Sequence, residues 1–337
     1  MTPVSASRSV LLFIAMTAAC VLSASTAFSQ GVQSAAASGA SQAETPRIGV
    51  QVKIETFAPD DASAIARAAF AFVRFGVWTN HLSDADYAVR VQSAFELAAH
   101  AGLPVLLTIR STEPLSAAEM ASASSIEAAG RRFGRIVRET IDKYAPQIIG
   151  IELWNEPDLN RYWPTGNVNG TFPLFMRGAC AVLRAPNLAI PVFGFGFARA
   201  PIGDTVSARL LSALQPSAAQ CVNVVSYHAY GMTSEQMRNV TSEIRSRYGL
   251  PTAITEWGVP TRGSVVTSAA MQAMKVATFL ESVDSLGVSL ASIYEWKETR
   301  TAQSERERSF GLTEPSGVPK PALAVVQSYL KNHAASR

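Results

Sequence analysis

Ile48-Gly49-Val50-Gln51-Val52-Lys53 is a short apolar run of strand length, and the residues after it decide between two folds. A doubly wound open sheet would place a Gly-rich phosphate turn directly after its first strand. No such turn comes after Lys53. Downstream, the same kind of run recurs seven times, at Ala71 to Trp78, Pro104 to Arg110, Ile148 to Asn155, Pro191 to Phe197, Val222 to Tyr230, Pro251 to Trp257 and Ser289 to Trp296. Most are rich in Val, Ile and aromatics, and Gly, Pro or Asn flank them, as expected of parallel strands buried on both faces.

The intervening stretches carry helical spacing. Met237, Val240, Ile244 and Tyr248 line one face, as do Phe133, Ile136, Val137 and Tyr144, and again Val276, Phe279, Leu280 and Val283. Gly102, Gly249 and Gly287 stand where C-terminal caps are expected, and Ala322 to Leu330 reads as the last helix. Eight strands, each followed by a helix, predict an α/β chain folded as a single-domain (β/α)8 TIM barrel.

The barrel is expected over residues 47–332, about 290 residues being a usual length for this fold. Residues 1–29 read as a cleaved secretory signal peptide: Arg8 is the basic start, Val10 to Leu22 the apolar run, and Ala27 and Ser29 the small residues near a cleavage site. That run is short for a membrane anchor, and the residues around Cys20 match a lipoprotein signal poorly. Residues 30–46 are Ala, Ser, Gly and Gln with little to bury, and read as a flexible leader. A secreted or periplasmic protein is therefore expected, with no membrane span in the mature chain.

The net charge of +3 becomes +2 without Arg8, and no basic stripe points to nucleic acid. Four histidines with Cys180 and Cys221 do not form a metal-binding pattern, so neither metal nor cofactor is expected. The two cysteines suit a disulfide in an exported protein, but sequence alone leaves their proximity open. A monomer is expected, although no residue pattern sets the oligomeric state.

In this fold the working residues stand at the C-terminal ends of the strands. There the sequence places Arg74 and Trp78 on strand two, Trp154-Asn155-Glu156-Pro157 on strand four and Ser226-Tyr227-His228-Ala229-Tyr230 on strand six. Strand seven ends in Thr255-Glu256-Trp257-Gly258 and strand eight in Tyr294-Glu295-Trp296-Lys297. Glu156 and Glu256 thus face one another across the barrel mouth. Two carboxylates so placed suit glycosidic bond cleavage, which needs one acid and one group to meet the oxocarbenium ion. Singly, each residue has a plainer explanation, a capping glutamate or a core histidine, and Trp154 and Trp257 read best as packing behind the glutamates. The convergence of five strand ends carries the argument.

Trp154-Asn155-Glu156-Pro157 together with Ile254-Thr255-Glu256-Trp257-Gly258 resembles the clan A glycoside hydrolases, with families 5 and 39 the nearest in pattern. The run Phe310-Gly311-Leu312 to Pro319-Lys320-Pro321-Ala322 resembles the approach to those enzymes' last helix. The resemblance implies a retaining double displacement in which Glu156 is the acid/base and Glu256 the nucleophile. It also implies that Asn155 binds the sugar 2-hydroxyl, Tyr230 hydrogen-bonds Glu256, Arg74 keeps Glu256 ionised and Trp296 floors the −1 subsite, with His228 among the substrate-binding residues.

Trp78, Tyr162 and Trp163 are candidate rim aromatics for further subsites, and the loop Lys297 to Lys320 is a candidate cleft wall. A polysaccharide or oligosaccharide is the expected partner, with an open cleft favouring endo action on a β-linked chain. The alternatives are a non-hydrolytic glycan-binding barrel and a transglycosylase using the same cleft. A metal-dependent hydrolase is disfavoured because strand one lacks a His-x-His pair, and a phosphate-binding barrel because no Gly-rich turn follows strands seven and eight.

Overall fold

The computed structural model describes residues 46–184, 188–214, 221–263 and 268–334; the expected signal and all but the last residue of the expected leader lie outside them. Eight strands form the centre: β1 Arg47–Gln51, β2 Phe72–Trp78, β3 Val105–Arg110, β4 Ile148–Leu153, β5 Val192–Phe197, β6 Val224–His228, β7 Thr252–Trp257 and β8 Leu290–Ile293. Each pairs in parallel with the next, and β8 returns to β1, closing a barrel in chain order. The helices are α1 Pro59–Arg67, α2 Ala85–His100, α3 Ala123–Tyr144, α4 Val168–Leu183, α5 Val206–Ser212, α6 Ser234–Tyr248, α7 Ala269–Val283 and α8 Pro321–Ala334. The chain is a (β/α)8 barrel. Among the described residues no helix is long and apolar enough to cross a membrane.

The helix faces follow from their sequence spacing. In α6, Met237, Val240, Ile244 and Tyr248 are buried, Thr233 and Gln236 form a capping box, and Gly249 closes the helix at φ 67°. α3 and α4 approach so closely that a Cβ on Gly130 would stand 1.9 Å from the Phe175 carbonyl oxygen, and one on Gly178 2.1 Å from that of Glu127. Only glycine permits that crossing. Cys180 of α4 is joined by a disulfide to Cys221, just before β6, their Cα atoms 5.1 Å apart, a usual bridging distance.

Inside the barrel the side chains lie in layers. Phe72, Leu106, Phe193, Val224, Ala253 and Leu290 form an apolar floor of their own. Above it the barrel interior turns polar: Gln51, Arg74, Thr108, Glu152, Ser226, Thr255 and Ser292 are all buried.

The strand ends differ from the sequence expectation. β4 stops at Leu153 rather than Asn155, because Trp154 (φ 85°) and Glu156 (φ 51°) occupy the left-handed region and cannot continue a ladder. β6 stops at His228. β8 stops at Ile293, three residues short of Trp296, so strand alternation does not extend to that indole.

Candidate active site

Arg74 is the hub of the polar layer. Its guanidinium has five N–H donors, and all five are engaged. Nε and Nη2 donate to Glu152 Oε2 (3.0 and 2.6 Å), Nη1 to Gln51 Oε1 (2.5 Å) and Glu256 Oε1 (2.7 Å), and Nη2 also to Asn155 Oδ1 (3.0 Å). Thr108 donates to the same Glu152 oxygen at 2.8 Å. β5 leaves room for this carboxylate: Gly196, at φ 57°, would bring a Cβ to 3.0 Å from it. Burial raises the cost of ionising Glu152, but the Arg74 charge, and after it that of His228, hold its pKa below the usual carboxylate range.

Glu256 stands above this layer on β7, where a register shift between Tyr227 and His228 on β6 brings it opposite His228. Tyr230 donates its hydroxyl to Glu256 Oε2 at 2.8 Å. Burial would lift the Glu256 pKa; His228, Arg74 and the Tyr230 hydrogen bond outweigh it and hold the carboxyl below its ordinary value. His228 Nδ1 lies 3.0 Å from Glu156 Oε1 and 3.5 Å from Glu256 Oε2. With two carboxylate oxygens facing it, that nitrogen carries the proton. Burial opposes a charged imidazole, yet Glu256 and the bond to Glu156 raise the His228 pKa overall.

Glu156 hangs from the turn beyond β4. Its backbone N–H donates to Gly196 O at 2.8 Å, and the left-handed backbone at Trp154 and Glu156 is strain of the kind that structures hold at working sites. Ligand-type atoms of Glu156, His228 and Glu256 all lie within 4.8 Å of one another, the one such set among the described residues. His228 is hydrogen-bonded to Glu156 and stands beside Glu256, an arrangement suited to moving a proton.

Beside Glu256 opens a cavity of about 480 Å³, lined by Gln51, Lys53, Arg74, Trp78, Arg110, Asn155 and Tyr162 among others. Thr299, Thr301 and Ala302 of the 297–320 loop also line it, so that loop contributes a wall. The loop's charges are largely paired: Glu298 is buried with Arg262 and Lys320, and Arg306 meets Glu307.

Two expected aromatics lie elsewhere. Trp163, expected at the rim, is 1% exposed; its indole N–H donates to Thr171 Oγ1 at 2.8 Å, and its ring packs on Trp154, Phe172 and Phe175. Trp296, expected to floor a subsite, is buried against Phe70 and donates to Asp61 Oδ1 of α1 at 3.0 Å. An apolar pocket and a buried acceptor claim these indoles. Trp154 packs on Phe133, and Trp257 stacks on Phe279.

Sequence reasoning missed Glu152, and it placed Tyr294 and Glu295 at the end of strand eight without giving them a role. Tyr294 stands 6.0 Å from Tyr230, ring to ring, and its pKa is raised by burial and by the Glu295 and Glu256 charges. Glu295 pairs with Lys53 at 2.8 Å; burial, against the pull of Lys53, pushes its pKa up to about 7. The signal for Glu152 was present, a lone acid within the apolar run Ile148–Leu153.

No protein-family model and no curated sequence matches the chain. Solved structures do match its fold. A family 5 glycoside hydrolase variant from Bifidobacterium longum, in complex with Manβ1-4GlcNAc, superposes with TM-score 0.67 at 11% identity, covering 86% of this chain and 79% of that one. A family 1 β-glucosidase from Exiguobacterium antarcticum gives 0.64 at 11%, covering 86% and 98%. A family 39 glycoside hydrolase from Bacteroides cellulosilyticus gives 0.59 at 15%, covering 86% of this chain but only 64% of its own. The chain therefore has the barrel fold of the clan A glycoside hydrolases. Families 1, 2, 5 and 39 are represented among its structural neighbours.

Proposed function

We propose that the protein is a retaining glycoside hydrolase acting on a β-linked polysaccharide or oligosaccharide. One observation carries the reading: carboxylate oxygens of Glu156 and Glu256 lie within 4.8 Å of each other. Retaining enzymes hold their carboxyl groups ~5–5.5 Å apart, whereas inverting ones need ~6.5–9.5 Å to admit a water.

In this mechanism Glu256 Oε attacks the anomeric carbon as Glu156 delivers a proton to the departing glycosidic oxygen. Glu156 then takes a proton from water, which displaces the sugar from Glu256. Arg74, His228 and Tyr230 favour the ionised nucleophile. Asn155 accepts from Arg74 through its oxygen, so its amide N–H groups are turned toward other acceptors, such as the sugar 2-hydroxyl. Trp78 and Tyr162 line the cleft and give it aromatic surface for a sugar to pass against. Export belongs to the proposal: the Cys180–Cys221 disulfide suits an oxidising compartment, and N-terminal sequencing of the mature chain checks it.

The test is reducing-sugar release from β-glucans, mannan, xylan and bacterial exopolysaccharides by wild type, Glu156→Gln and Glu256→Gln. The expected outcome is activity on at least one polymer, abolished in Glu256→Gln and lowered at least ~100-fold in Glu156→Gln. Activity surviving both substitutions overturns the assignment. Longer products from an added acceptor sugar would identify transglycosylation through the same intermediate.

A further inference from the structure

The side of the cleft built by β1 to β3 holds a cation that the proposed cycle leaves unused. Arg110 ends β3, in register with Trp78. Strand alternation from Thr108, which reaches Glu152 inside the barrel, turns Arg110 inward at the mouth. It lines the cavity of about 480 Å³ that also contains Glu256. Its guanidinium stands 5.7 Å from the centre of the Trp78 ring and 4.9 Å from that of Tyr162.

The other cations around the site are neutralised. Arg74 meets Glu152 and Glu256, Lys53 meets Glu295, and Arg161 meets Glu156. Among the described residues no carboxylate pairs with Arg110, and its hydrogen bonding there is a 3.5 Å contact with the Ser111 carbonyl. Burial pulls its pKa below the ordinary arginine value by more than the nearby Tyr162 and Glu156 restore, and a guanidinium withdrawn from water with no carboxylate in contact is costly. Both rings lie within cation–π distance of the guanidinium, and apart from the Ser111 contact its N–H groups have no acceptor among the described residues. A planar fork of this kind matches a carboxylate better than a hydroxyl.

We propose that Arg110 binds the carboxylate of a uronic acid in the glycan, so that the cleft selects an acidic polysaccharide. The proposal rests on the glycosidase reading for its substrate class. Arg161, 4.5 Å from the Tyr162 ring, stands on the same wall but is already paired with Glu156, which leaves Arg110 as the cation for the ligand. The rings hold the arginine at the cleft wall, and the arginine takes the charge that distinguishes a uronic acid from a neutral hexose.

The experiment is calorimetric titration of matched β-1,4-linked tetrasaccharides, one of glucuronic acid and one of glucose, into Glu256→Gln protein, which holds either uncleaved. A charged hydrogen-bonding pair contributes ~1.5–3 kcal/mol, so the acidic tetrasaccharide should bind ~10–100-fold tighter. That preference should shrink with added salt. Adding Arg110→Met should remove it while changing glucose tetrasaccharide binding less than about threefold, and Arg110→Lys should retain part of it. An unchanged melting temperature shows that the methionine variant is folded, and the lysine variant tests the charge independently.

Equal binding of the two sugars, no binding of the acidic one, or an equal loss for both with Arg110→Met overturns the proposal. Because binding is read apart from cleavage, the two readings fail separately. An acid preference in a protein that cleaves nothing sinks the hydrolase reading alone, and cleavage without acid preference sinks the Arg110 site alone.

Discussion

Tyr230 gives a single hydroxyl to Glu256, at 2.8 Å, and Tyr230→Phe removes that bond with little change of shape. A hydrogen bond to a charged group contributes ~1.5–3 kcal/mol, so kcat/KM on an aryl glycoside should fall ~10–100-fold. The sign on pH comes from the shift. His228, Arg74 and Tyr230 depress the Glu256 pKa, and losing one of them lets it rise. With Glu256 as the proposed nucleophile, its ionised form then disappears at a higher pH, and the acid limb of the rate profile moves upward. An unmoved limb would separate Tyr230 from the nucleophile. At this scale the sequence was informative where a residue's chemistry is rare at its position. Arg74, Asn155, Glu156, His228, Tyr230 and Glu256 stand together, as the convergence of several strand ends led one to expect. Glu152 was equally unusual inside an apolar strand, and its partner Arg74 was already in view. Trp163 and Trp296 were misplaced because a tryptophan in a loop reads alike whether it faces sugar or core. Phe172 and Phe175 on α4, and Asp61 on α1, decide it, and only folding brings them near.

Strand cores were legible because burial on both faces demands Val, Ile and Phe. The terminal residues were not, since the left-handed backbone at Trp154 and Glu156 leaves no mark on composition. Helix faces read correctly wherever period and cap agreed, as in α6. The cysteine pair was undecidable from sequence, because its closure depends on where α4 lies relative to the start of β6. The bridge closes a loop of 41 residues, and denying the unfolded chain that constraint has a measurable consequence. Cys180→Ala with Cys221→Ala should lower unfolding stability by ~2–4 kcal/mol in urea titration, within the usual range for a native disulfide. Reductant should lower the wild type similarly and leave the double variant unaffected. Equal stability of the two proteins would show that the bridge constrains little.

Across the whole barrel the buried ionisable groups favour opposite ends of the pH scale. Glu152 and Glu256 have depressed pKa values, so their contribution is present above the ordinary carboxylate pKa and is lost as pH falls through the depressed values. Glu295 is shifted the other way, from 4.5 to about 7. Its contribution is complete below 4.5 and is lost as pH rises to about 7. Thermal melts of Glu295→Gln and wild type should therefore diverge across that interval, with the wild type losing ground to the variant as pH rises. Parallel curves would mean that Glu295 titrates normally. The Arg74 hub bears on the proposed cycle in a different way, through electroneutrality. Arg74, Glu152 and Glu256 together carry one excess negative charge while the nucleophile is free, which suits a sugar becoming cationic. Once Glu256 is an ester, the same three groups sum to zero and the sugar no longer needs a counterion. Glu152, out of reach of the substrate beneath the hub, keeps the guanidinium neutralised in both states, so the mouth can change its charge without losing its scaffold.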